Sequence, residues 1–262
     1  MKFSPKYFHD NIPDWKRKKD SLICQLIVRP ISYLGSSLCA NLHISANAVS
    51  YFSLLIAIIG NVLFVFNNKI CAIIGASLMI FWLLLDCVDG NLARSYKKQP
   101  YGEFADALSS YVLIALMGPC VAVYCYFAGG TVIPKENIWI VYAGAIISSS
   151  DTFMRLAYQK FNSTTKEMVN DGVIKDEDKD YRKDHSKVKS IKSRIESSMD
   201  YFPFVLLFAV IFDFVDIYLF FIGCYYVFAC LFTLSRLILK ALKVRKVPYT
   251  NNFPTEDENG AK

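Results

Sequence analysis

The chain lacks the cysteine arrangements of a metal finger or a disulfide-built protein: its eight cysteines form no C-x-x-C pair and no zinc spacing. Most of them lie in apolar runs, where a free thiol behaves as a small hydrophobe. An apolar stretch of leader-peptide type is missing from the first 20 residues, which hold Lys2, Lys6, Asp10, Asp14 and the basic run 16–19, so no cleavable signal peptide is expected. No internal repeat is visible. Charge is scarce, at 20% of residues, and gathers at the two ends and in the stretch 155–200. What fills the rest is apolar: 54% hydrophobic and 15% aromatic residues, with a mean hydropathy of +0.30. Such a chain is not disordered, and its long apolar blocks argue against a simple soluble domain. The formal charge of +6, from 29 basic and 23 acidic residues, would hint at nucleic acid in a soluble protein. Here the basic residues flank apolar segments and read as orientation signals, so no nucleic-acid partner is expected.

A helix that crosses a bilayer needs about 20 apolar residues, because hydrocarbon offers the backbone no water to bond. Six candidate stretches follow: 46–66, 70–93, 104–128, 137–160, 201–214 and 215–242. The fifth has only 14 residues and relies on a helix that begins in the polar segment before it. The expected fold is all-α, a polytopic membrane protein with six transmembrane helices. Basic residues gather before the first span (16–19 and Arg29), in the second connection (Arg94, Lys97, Lys98), in the fourth (162–197) and in the tail (Lys240, Lys243, Arg245, Lys246). The first, third and fifth connections carry only Lys69, then Lys135 with Glu136, then Asp213 with Asp216. That alternation implies an integral membrane protein with both termini in the cytosol. Residues 1–45 read as a cytosolic and interfacial segment. Within it Leu22, Ile23, Leu26, Ile27, Ile31 and Leu34 suit an amphipathic helix along the inner membrane face, which Pro30 would interrupt or bend. The transmembrane domain covers 46–242, with 162–197 as a polar surface hairpin or loop, and 243–262 reads as a disordered tail.

Acids inside a membrane segment are costly and point to function. The inner end of the second span reads Asp86-Cys87-Val88-Asp89-Gly90-Asn91-Leu92-Ala93-Arg94. On a helix 86, 89/90 and 93 share a face, which gives two carboxylates one turn apart, then two very small residues, then a guanidinium. After a short basic loop, Gly102-Glu103-Phe104-Ala105-Asp106 places a third acid at the inner end of the third span. Three carboxylates in one pocket repel one another unless a cation joins them, and hard oxygen ligands favour Mg²⁺, with Ca²⁺ or Mn²⁺ as other candidates. Gly90, Ala93 and Gly102 let a bulky ligand approach the backbone, and Arg94 can fork onto a phosphate. The chemistry indicated is phosphoryl transfer. The competing reading is a helix-packing surface whose acids pair with Arg94 and Lys97.

The pattern D-x-x-D-G-x-x-A-R, a short gap, then G-x-x-x-D resembles the CDP-alcohol phosphotransferase family, and Asp86, Asp89, Gly90, Ala93, Arg94, Gly102 and Asp106 match it in order. The run 45–50, with Asn47, is similar to that family's entry into its first span. The resemblance implies that Asp86, Asp89 and Asp106 bind Mg²⁺ or Mn²⁺. It also implies that Asp89, Gly90, Ala93, Arg94 and Gly102 line a cytidine diphosphate site on the cytosolic side. The implied reaction moves a substituted phosphate from a CDP-linked alcohol, such as CDP-diacylglycerol, to an acceptor alcohol and releases CMP, in phospholipid or related phosphodiester biosynthesis. The implied partners are the CDP-alcohol donor, the acceptor, membrane lipids and a second copy of the chain, since members commonly form homodimers.

The sequence departs from the family pattern in two places. The gap between Arg94 and Gly102 holds seven residues, one fewer than usual, and the position of the fourth acid is Ser110. In the family that acid is a metal ligand and the proposed base, whereas serine is neutral and no base near neutral pH. Two acids could compensate. Glu103 lies one turn shallower on the face of Asp106, and Asp151 sits about 13 Å inside the fourth span. Asp106 and Asp151 are therefore the catalytic candidates, although an i,i+4 ion pair with Arg155 is the simpler account of Asp151. Arg155, Lys160 and Arg194 are candidates for binding an anionic acceptor, or boundary charges facing lipid phosphates. The alternative to an active transferase is an inactive member that binds the nucleotide or a partner; a transporter is the third class.

Overall fold

A computed structural model describes residues 3–13, 16, 20–172 and 199–244, and every regular element among them is helical. The helices are α1 (Pro5–Asp10), α2 (Arg29–Asn41), α3 (Ala46–Val62), α4 (Lys69–Ser95), α5 (Gly102–Ala128), α6 (Ile138–Asn170), α7 (Phe202–Ile211) and α8 (Val215–Val244). A wide π turn, Cys24–Val28, leads into α2, and tight turns Leu63–Phe66 and Met199–Tyr201 end α3 and precede α7. The expected polar hairpin over 162–197 divides: residues 162–170 continue α6 as helix, while 173–198, with Arg194, lie outside the described residues. So does the tail from Arg245 on.

Local chemistry sets the helix starts. Ser45 Oγ accepts the Ala48 N–H at 3.2 Å, Asn68 Oδ1 accepts those of Ile70 and Cys71 at 2.8 and 3.3 Å, and Asn137 Oδ1 accepts that of Trp139 at 3.0 Å. Pro30 does not break its helix. It occupies the first turn of α2, and the π turn before it carries the Arg29 N–H to Cys24 O, so the widened register absorbs the missing donor.

Among the described residues, four segments are long and apolar enough to cross a membrane: Ala46–Phe66, Lys69–Ser95, Gly102–Ala128 and Val215–Leu242. Helix α6 is longer than any of them, with 33 residues, but Ser148, Ser149, Ser150, Asp151 and Arg155 dilute its apolar stretch. Helix α7 has 10 residues, about 15 Å, which is short for a span by itself.

Helix α3 packs along both α4 and α5, which barely touch each other; α5 continues onto α6, α6 onto α8, and α7 lies on α4. The α5–α6 crossing is close because glycines meet there: a Cβ on Gly144 would lie 2.5 Å from both the Ala122 Cβ and the Gly118 carbonyl oxygen. The connections gather at the two ends of the bundle. At one end Lys69 Nζ meets Asp213 Oδ2 at 2.6 Å, and Asp216 accepts the N–H groups of Thr131, Val132 and Ile133 at 2.7–3.1 Å. At the other end, Ser21 donates to Asp200 at 2.7 Å, and α1 and α2 pack around the last turns of α4, where Tyr7 donates to the Ser95 carbonyl at 2.8 Å.

Helix α2 is inverted relative to a helix on a water-soluble protein. Its inner face buries Arg29, Ser32, Ser36 and Ser37, while Ile31, Leu34 and Leu38 are exposed. The buried guanidinium of Arg29 bonds Asp20 at 2.7 and 3.1 Å, and Lys16 reaches the same carboxylate at 3.2 Å. Burial alone would raise the Asp20 carboxyl, but the bond to Arg29 and the two cations outweigh it and hold it below its ordinary value.

Candidate functional site

The loop 96–101 turns α4 into α5, and Tyr101, at φ +58°, sets the reversal just before Gly102. The turn brings the acidic ends of both helices together. Asp86, Asp89 and Asp106 each contribute a carboxylate oxygen to a group whose members all lie within 4.8 Å of one another. The three differ in surroundings: Asp89 is buried, Asp86 half-buried and Asp106 exposed. The set is therefore open on the α5 side and closed on the α4 side. Three converging hard oxygens fit a divalent cation of the Mg²⁺ or Mn²⁺ type.

Helix α3 supplies the floor. Ser50 Oγ donates to Asp89 Oδ2 at 2.6 Å. One turn deeper, Ser53 and Ser109 share a hydrogen bond of 2.7 Å, and the Trp82 indole donates to Ser109 at 2.7 Å. Those bonds tie α3, α4 and α5 together beneath the acids. Asn47 Nδ2 donates to the Pro100 carbonyl at 2.9 Å, while its Oδ1 is buried without a hydrogen-bond partner among the described residues. That oxygen would lie 3.3 Å from a Cβ on Gly102, so a larger residue at 102 would crowd it. The Arg94 guanidinium folds over Gly90, where a Cβ would come within 2.7 Å of Nη2. Glycine at 90 thus makes room for the arginine itself.

The sequence candidates separate into two groups. Asp86, Asp89, Gly90, Arg94, Gly102 and Asp106 lie around the α4–α5 turn, with Ala93 on the same stretch of α4. Asp151 and Arg155 belong to the α5–α6 contact instead. Asp151 is buried, and its Oδ2 accepts from Arg155 Nε at 2.6 Å, while its Oδ1 lacks a partner among the described residues. The guanidinium stacks 4.7 Å from the centre of the Tyr111 ring, and Gln159 donates to the Tyr111 hydroxyl at 2.6 Å. Tyr111 follows Asp106 by five residues, about 140° around α5, so the two groups use different faces of that helix. Lys160 is exposed one turn further along α6. Glu103 points outward, 97% exposed and 4.0 Å from Lys98, and stands apart from the acid trio. Ser110 turns its hydroxyl to the Ala107 carbonyl at 3.0 Å.

Sequence reasoning missed Ser50, Ser53, Trp82 and Ser109 as supports of the acids. A signal for Ser50 was present, since Asn47 and Ser50 are three residues apart and share a helical face at the entry of α3.

A family model described as CDP-alcohol phosphatidyltransferase matches residues 43–175, the stretch that holds α3 to α6 and all three acids. No curated protein matches the chain.

Proposed function

Because the chain belongs to the CDP-alcohol phosphatidyltransferase family, we propose that it transfers the substituted phosphate of a CDP-linked alcohol to the hydroxyl of a second alcohol. The observation that carries this reading is the convergence of Asp86, Asp89 and Asp106 within 4.8 Å. The acceptor oxygen bonds to the phosphorus that bears the donor alcohol, the bridging bond to CMP breaks, and CMP leaves with the electron pair. A divalent cation held by the three acids would neutralise the pyrophosphate and the charge that builds on CMP. Arg94 pairs with a phosphate oxygen, and Gly90, Ala93 and Gly102 leave the nucleotide room beside the backbone. Asp106, the exposed member of the trio, takes the acceptor's proton. Arg155 and Lys160 attract an anionic acceptor on the α6 side; Asp151, paired with Arg155 on a different face of α5 from Asp106, serves as the alternative base only for an acceptor that reaches across α5.

The same reading takes the chain across the bilayer six times. Lys69, the 131–133 turn, Asp213 and Asp216 meet at one end, and Asp200 meets Ser21 at the other. On this reading α7 with its preceding turn, although short, is the fifth crossing. The acid-bearing end carries Arg94, Lys97 and Lys98 and is cytosolic by the excess of basic residues, with both termini on that side. The exposed leucines of α2 rest in the inner membrane interface.

The test is CMP release by purified protein with Mg²⁺ and, in turn, CDP-diacylglycerol, CDP-choline, CDP-ethanolamine or CDP-glycerol with candidate acceptors. Release is expected, and Asp86→Asn, Asp89→Asn and Asp106→Asn each abolish it. Near-normal turnover in any of the three removes that residue from the site. The replacement of the fourth acid by Ser110 favours one second reading, a member that binds the donor without turning it over; tight CDP binding with no CMP release would select it.

A further inference from the structure

The two helices that carry the acids barely touch, so direct packing between them does not fix how far apart their carboxylates stand. Like charges push them apart when no cation is present. Helix α3 backs both of them, and a second support lies behind α4. Gly35 of α2 lies so close that a Cβ there would fall 2.9 Å from Val88 Cγ2. Beside that contact is Asn91, fully buried and two residues after Asp89. Two residues are about 200° of helical rotation, so Asn91 faces away from the acids. Its Oδ1 accepts from Arg29 Nη1 at 2.9 Å, and its Nδ2 donates to Ser32 and Ser36 at 3.1 Å each. Both amide protons and the carbonyl are thereby used. All three partners come from α2, and all are buried. Rotating or sliding α4 would break these bonds in a dry setting, where an unpaired amide is expensive.

Resting on the metal-dependent reading above, we propose that Asn91, gripped by Arg29, Ser32 and Ser36, is a positioning residue that fixes α4 against α2 and so presets Asp86 and Asp89 for a divalent cation. Residues one step removed from the ligands act in this way elsewhere, and their loss weakens metal affinity about 10- to 100-fold.

The probe is Mn²⁺ alone, added to the detergent-solubilised full chain and read by the electron paramagnetic resonance signal of the free ion. Asn91→Leu is expected to weaken Mn²⁺ binding at least tenfold, and Asn91→Asp, which keeps the acceptor for Arg29 and offers a second oxygen to which the two hydroxyls can turn and donate, to stay within threefold of the unaltered chain. A purely structural Asn91 would lower the unfolding temperature of Asn91→Leu and leave the Mn²⁺ affinity of the folded protein unchanged, which overturns the proposal. Should Asn91→Leu not fold, the Ser32→Ala/Ser36→Ala pair strips the two amide acceptors, and the same tenfold criterion decides. An unaltered chain that binds no Mn²⁺ overturns the metal reading and this inference with it. Binding by the unaltered chain and equally by the variants overturns only the inference.

Discussion

At the scale of single residues, the acids depend on neighbours far away in the chain. Ser50 donates to Asp89 across a sequence separation of 39 residues, and a hydrogen bond to a charged group is worth about 1.5–3 kcal/mol. Ser50→Ala is therefore expected to raise the Mg²⁺ concentration for half-maximal CMP release about tenfold, with Ser50→Thr close to normal; a titration of release against Mg²⁺ checks it. What the sequence made legible at this scale was local. The three-residue step from Asp86 to Asp89 and the four-residue step from Asp151 to Arg155 both lie within one helix, and helical geometry predicts each pairing. The links from Trp82 to Ser109 and from Arg29 to Asn91 join different helices, and no spacing rule announces them.

At the scale of elements, helix starts were legible wherever Ser or Asn precedes an apolar run, as at Ser45, Asn68 and Asn137. Lengths were less so. Helix α6 runs on to Asn170 beyond its apolar stretch, because Thr164, Thr165, Lys166 and Glu167 are soluble residues that continue a helix without needing a membrane. Pro30 misled for a definite reason: its effect depends on the register of the turn before it, and a π turn supplies the slack. The closest element contact offers a clean test. Gly144→Ala places a methyl 2.5 Å from the Gly118 carbonyl, an overpacking of the kind that costs about 1–3 kcal/mol. A lowered unfolding midpoint in detergent is the expected result, and an unchanged midpoint would mean that α5 and α6 do not cross there.

At the scale of the whole molecule, the alternation of basic and charge-poor connections anticipates the grouping of the turns. The charge-poor turns at Lys69, Thr131–Ile133 and Asp213–Asp216 do meet at one end. On the proposed six-crossing reading, an inserted glycan-acceptor loop between Gly130 and Thr131 is expected to be glycosylated in microsomes, and the same loop between Lys98 and Gln99 to stay bare; gel mobility before and after glycosidase reads both. The reverse pattern would invert the orientation. The knot that Asp216 and Lys69 tie at the charge-poor end leaves α4 and α5 joined at the other by a short strap, by the bond from Trp82 to Ser109 and by their common backing on α3. Like tongs with one arm clamped, with α4 clasped by α2, the bundle on the proposed reading opens by its α5 arm alone, which lets a bulky donor in and out on that side while the far end keeps its shape.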